Sequence, residues 1–113
     1  MFQSYKTLML QHLNLSDNKI SDISFLTNLP ALKSLILTAN PISEPRFLEG
    51  LTYLRYLALS FNHISNIGFL RNLPKLRALE LRNNEISNCT VLGNLKSLKS
   101  INLNIINFPN VLF

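Results

Sequence analysis

Cysteine is almost missing from this chain. Cys89 stands alone, which excludes an intramolecular disulfide and favours a cytoplasmic or nuclear address over a secreted one. Charge is also scarce: 15% of residues are charged against 47% hydrophobic, a balance that argues for a packed body and against a disordered tail. No apolar run approaches the roughly 18 residues of a membrane span, so no membrane contact is expected. The opening stretch, Met1 to Leu10, holds Lys6 but no apolar core followed by small residues, and does not read as a signal peptide. The sequons at Asn14 and Asn88 matter only for a secreted chain. The length of 113 residues fits one domain.

What the chain does have is a period. Leu10, Leu13, Leu15, Asn18 and Ile20 are repeated 22 residues on as Leu32, Leu35, Leu37, Asn40 and Ile42. The set returns as Leu54, Leu57, Leu59, Asn62 and Ile64, and again as Leu76, Leu79, Leu81, Asn84 and Ile86. Four units therefore carry L-x-x-L-x-L-x-x-N-x-I, and a fifth starts with Leu98, Ile101 and Leu103 before the pattern breaks. A second stretch of each unit keeps the same register: Ile23, Leu26, Leu29; Pro45, Leu48, Leu51; Ile67, Leu70, Leu73; Cys89, Leu92, Leu95.

At these residues the sequence resembles the leucine-rich repeat family, whose repeats of 20–29 residues stack into a curved solenoid. The short spacing is similar to the subclass found in a regulatory subunit of protein phosphatase 1, in bacterial internalins and in a spliceosomal adaptor. The resemblance implies an α/β solenoid: a leucine-rich repeat horseshoe with a parallel concave β-sheet and short 3₁₀ or loop segments on the convex side. It also implies a single domain over 1–113, with 1–9 as an N-terminal cap segment, 10–97 as four full repeats and 98–113 as a degenerate C-terminal repeat. The cysteine-rich flanking caps of extracellular relatives are absent.

The residue types suit that architecture. In Leu57-Ala58-Leu59 the leucines point inward and the residue between them outward, as strand alternation requires. Asn18, Asn40, Asn62 and Asn84 sit where the chain leaves the strand, and an amide can both donate to and accept from adjoining turns. The resemblance implies that they form a buried ladder rather than a row of amides reading a ligand. Return segments such as 21–30 are too short for a regular helix and carry Pro30, Pro45 and Pro74, so 3₁₀ turns are expected. Phe25, Phe47, Phe69 and Val91 recur in register and are expected to wedge between neighbouring repeats.

Function must lie in the positions the period leaves free. Four columns should open onto the concave face: His12, Ser34, Tyr56, Ala78, Ser100; Asn14, Ile36, Ala58, Glu80, Asn102; Ser16, Thr38, Ser60, Arg82, Asn104; and Asp17, Ala39, Phe61, Asn83, Ile105. Most are small or polar. Ile36, Tyr56 and Phe61 are the exceptions, in neighbouring units, with Arg82, Glu80, Asn14, Asp17 and His12 around them. Such a cluster has the make-up of a protein-binding hot spot. The alternative is that Ile36 and Tyr56 merely stabilise one another across the sheet. Glu80 and Arg82 read as an ion pair on the same face.

Lys33, Arg55, Arg77 and Lys99 fill another column, with Lys75 and Lys96 nearby, in a chain of net charge +5. Three readings stand: long side-chain stems shielding the sheet edge, as repeats of the family commonly have, an acidic protein partner, or nucleic acid. The last is the weakest, because no aromatics interleave the cations as in an RNA-binding signature.

Catalysis finds no footing. His12 and His63 fall in different columns, no second cysteine exists, and no paired carboxylates project from neighbouring columns, so no catalytic residue, metal or cofactor is expected. The expected role is a non-enzymatic module that binds a protein partner. The competing role is a self-associating fragment: Phe108, Leu112 and their neighbours either tuck over the core or leave an apolar end that dimerises.

Overall fold

The computed structural model describes residues 9–103. The expected cap segment at the start, the degenerate end from Asn104 onward, and the self-association reading built on Phe108 and Leu112 lie outside the described residues.

Five short strands, β1 (His12–Asn14), β2 (Ser34–Ile36), β3 (Tyr56–Ala58), β4 (Ala78–Glu80) and β5 (Ser100–Asn102), form one parallel sheet in chain order. Its register is the sequence period: Leu13 lies opposite Leu35, Leu35 opposite Leu57, Leu57 opposite Leu79, and Leu79 opposite Ile101. Leu35, Leu37, Leu57, Leu59, Leu79 and Leu81 are buried, and the apolar residues of the return segments close the core from the other side. Truncating one such leucine to alanine costs about 2–5 kcal/mol.

The return segments contain the 3₁₀ turns Ser24–Asn28, Pro45–Leu48, Gly68–Asn72 and Thr90–Asn94. Each spans too few residues for α-helical bonding to become cooperative. Bonds three residues back hold them instead, as in Leu26 N–H to the Ile23 carbonyl at 3.0 Å and Leu70 N–H to that of Ile67 at 3.1 Å. The expected phenylalanine wedge holds only in part. Phe69 and Val91 are buried and Phe47 is partly so, but Phe25 is 39% exposed. Val91 has a described return segment before it and Phe25 only one after it.

The asparagine ladder is built by three amides, of which Asn40 makes the fullest set. Asn40 Oδ1 accepts from Asn18 N–H at 3.0 Å and Ile20 N–H at 2.9 Å, while its Nδ2 donates to the Leu15 carbonyl at 3.0 Å and the Leu37 carbonyl at 2.9 Å. Asn62 repeats the arrangement with Ile42 N–H and the Leu37 and Leu59 carbonyls. Asn84 does so with Ile64 N–H and the Leu59 carbonyl. Asn18 departs from the expected buried ladder: it is exposed, and its amide donates only to Ser16 in its own turn. The ladder reaches back one repeat, and for Asn18 that repeat would fall before the described residues.

Candidate protein-binding face

The turn that follows each strand sets the geometry of the face. Asp17, Ala39, Phe61 and Asn83 all have positive φ, from 55° to 60°. Three of their N–H groups donate to the next repeat: Asp17 to the Thr38 carbonyl at 3.0 Å, Ala39 to Ser60 at 2.9 Å and Phe61 to Arg82 at 2.7 Å. The stacking of repeats thus imposes a left-handed backbone at this column whatever the side chain is. Asp and Asn adopt that conformation readily, whereas other L-residues do so at roughly 1–2 kcal/mol. Phe61 is the conspicuous case, being bulky and 50% exposed, so its ring recovers little of that cost by burial.

Arg82 is exposed beside Phe61, its own N–H donating to Ser60 Oγ at 3.0 Å. The expected Glu80–Arg82 ion pair does not form: the Tyr56 hydroxyl donates to the Glu80 carboxylate instead. Among the described residues Arg46 pairs with Glu44 at 3.3 Å and His63 Nδ1 lies 3.5 Å from the Glu85 carboxylate, both contacts exposed. Arg82 therefore keeps its guanidinium unpaired among the described residues. Burial, with the Glu80 hydrogen bond and charge as smaller causes, pushes the Tyr56 phenol up to about 12.

Tyr56 reaches from β3 toward Glu80 on β4, while Ile36 lies on the other neighbour, β2, opposite Ala58. Glu80 is the polar anchor of the ring. Not every expected concave position opens to solvent: Ala58 and Ser60 are buried at 1% and 3% exposure. Asn14 is turned to its own loop, accepting from Ser16 N–H at 3.1 Å and Ser16 Oγ at 2.8 Å. Asn14 lies opposite Ile36, Ile36 opposite Ala58 and Ala58 opposite Glu80, so these four form one row across the sheet, while His12 stands two strands from Tyr56, about 10 Å away.

The backbone of the basic column bears on the edge-shielding reading. Lys33, Arg55, Arg77 and Lys99 mark the strand starts, and each backbone N–H donates to the previous repeat, to the carbonyls of Gln11, Lys33, Arg55 and Arg77 respectively, at 2.7–2.8 Å. No unpaired edge exists there for the stems to shield. Sequence reasoning also missed Tyr53, half exposed at the same side of the molecule, with the Lys75 ammonium 4.7 Å from its ring centre. The clue was present, since Tyr53 and Lys75 are 22 residues apart in one column.

The model of the family described as leucine-rich repeats (2 copies) matches residues 9–53 and again 52–94. The chain belongs to the leucine-rich repeat family. Among similar solved structures, internalin C2 of Listeria monocytogenes is 36% identical with a TM-score of 0.82, over 84% of this chain and 42% of that one. A leucine-rich repeat protein of Leptospira interrogans is 31% identical, with a TM-score of 0.77 over 84% of this chain and 25% of that one. The Arabidopsis receptor kinase HAESA, solved in complex with a peptide hormone and a co-receptor, is 28% identical with a TM-score of 0.72, over 83% of this chain and 17% of that one. The chain thus spans less than half the length of these relatives. No protein of curated function matches it significantly. Leucine-rich repeat proteins are in general non-enzymatic interaction modules, and among the described residues no helix is long and apolar enough to cross a membrane.

Proposed function

We propose that this leucine-rich repeat module binds a protein partner through its concave face. Phe61 is the anchor, Tyr56 and Ile36 the apolar flank, and Arg82 the group that meets a carboxylate of the partner. The observation that carries this reading is the half-exposed phenylalanine held in a left-handed turn. Neither packing nor backbone preference accounts for an aromatic there, and bulky residues kept in an unfavourable conformation at a surface tend to be sites of use. Phe61 beside an arginine that makes no ion pair among the described residues supplies both elements of a hot spot that a partner would desolvate. HAESA, solved with a peptide hormone, is a relative whose fold receives a polypeptide. The lone buried cysteine is the support for a cytoplasmic or nuclear place of action.

The test is capture from lysate of the source organism with the native protein and with Phe61→Asn, a substitution suited to the left-handed backbone. A protein held by the first and lost by the second supports the concave site. Identical captures from the two would sink it.

A further inference from the structure

The positive charge of the molecule is concentrated on one side. The segments that lead into the strands, residues 30–33, 52–55, 74–77 and 96–99, hold Lys33, Arg55, Lys75, Arg77, Lys96 and Lys99 and not one carboxylate. The opposite side, where the chain leaves the strands, carries Asp17, Asp22, Glu44 and Glu85 against Lys19 and Arg46. Of the remaining charges in the described residues, Glu49 and Glu80 balance Arg71 and Arg82, and Glu49, which lines a hollow with Pro30, is a carboxylate bordering the strand-entry side. The excess of cations in the described residues therefore resides entirely on the strand-entry side. Five of its six cations are exposed, Lys33 being half-buried, and none makes an ion pair among the described residues.

Two features make this row more than a solvated surface. Its backbone is fully paired from repeat to repeat, so the side chains protect no open strand. Its spacing is also fixed by the sheet: Lys33, Arg55, Arg77 and Lys99 immediately precede successive parallel strands, about 4.8 Å apart, and the row spans about 14 Å. Side chains at i, i+3, i+7 and i+10 of an α-helix lie on one face and span about 15 Å. Four same-side residues of an extended peptide span about 20 Å and drift out of step. Single-stranded nucleic acid needs rings on which bases stack, and the Tyr53 ring on this side is already covered by Lys75.

We propose that the strand-entry side of this protein docks an acidic α-helix of a protein partner, laid across the repeats with carboxylates at i, i+3, i+7 and i+10 facing Lys33, Arg55, Arg77 and Lys99. This surface adjoins the concave face, Arg55 directly preceding Tyr56, but it uses none of the residues proposed there and stands whether or not Phe61 anchors a partner.

The test is fluorescence anisotropy of labelled probes against the native protein, Arg55→Glu/Arg77→Glu, and Phe61→Asn, with folding of each variant checked by circular dichroism. The probes are a helical peptide of about 20 residues, about 30 Å long, with glutamates in that pattern, the same composition with glutamates spread round the helix, a proline-interrupted extended version, and a single-stranded oligonucleotide of equal charge. The patterned helix should bind at least fivefold tighter than the other three. The double variant should weaken it at least tenfold, with Lys75→Glu/Lys99→Glu following if the first variant fails to fold, and Phe61→Asn should leave it unchanged. Equal binding of all four probes, tighter binding of the oligonucleotide, or no loss in the folded charge variants would overturn the proposal. Loss with Phe61→Asn alone would overturn it too, by placing the helix on the concave face.

Discussion

Phe61 and Asn62 are neighbours in the chain and opposites in the structure. Asn62 is 4% exposed and its amide joins two repeats through Ile42 N–H and the Leu37 and Leu59 carbonyls. Phe61 is half exposed, in a backbone conformation that suits asparagine better than phenylalanine. Both occupy columns with a period of 22, but the asparagine column is uniform while the column before it reads Asp17, Ala39, Phe61, Asn83. Where the side chain is needed to hold the solenoid together, the residue repeats. Where only the backbone is needed, the residue is free to serve something else.

Replacing each neighbour should separate the two roles. In Asn62→Leu, Ile42 N–H loses its acceptor while the Leu37 and Leu59 carbonyls each keep one amide donor, from Asn40 and Asn84. An orphaned buried donor and two half-satisfied acceptors should lower stability by about 2–3 kcal/mol in urea denaturation. Asn18→Leu, at the exposed end of the same column, should cost under about 0.5 kcal/mol. Equal losses at the two positions would mean that the ladder's strength does not depend on reaching the preceding repeat.

Phe61→Asn should act in the other direction, raising stability by about 1 kcal/mol as the left-handed turn receives a residue that tolerates it. A gain in stability coupled to loss of the captured partner is the signature of a residue kept for binding at a cost to the fold. If stability falls instead, the ring contributes packing and the case for a binding anchor weakens.

The architecture could be read from the sequence because the period acts through the backbone. Leucines 22 residues apart dictate which strand lies beside which, and the observed register, Leu13 to Leu35 to Leu57 to Leu79, follows directly. Three further features of the candidate face escaped that reading. Positive φ at Ala39 and Phe61 had no glycine to mark it, because hydrogen bonds to the next repeat impose it. Pairing of Glu80 with Tyr56 rather than Arg82 depends on reach across a diagonal of the sheet, which the columns alone leave open. Of the three readings of the basic column, edge shielding turns on backbone bonding that side-chain columns do not report: the strand starts stay bonded to the previous repeat, and only the end strands of a solenoid have open edges.

Tyr56 falls between the two neighbours, half-buried on the face yet tied to the structure through Glu80. Its phenol ionises near 10 in an unfolded chain and is held up to about 12 in the folded one. The neutral phenol is therefore the form that folding favours, so its contribution to stability is complete below about pH 10 and disappears as pH rises through about 12. A spectrophotometric titration of phenolate should show its highest transition vanish in Tyr56→Phe. In Glu80→Gln that transition should move down only part of the way, because burial is the larger cause and the carboxylate the smaller. A full return to the ordinary value in Glu80→Gln would show that the carboxylate alone holds the proton on Tyr56. The ring would then be well hydrated, and more open to a partner than its half-buried position implies.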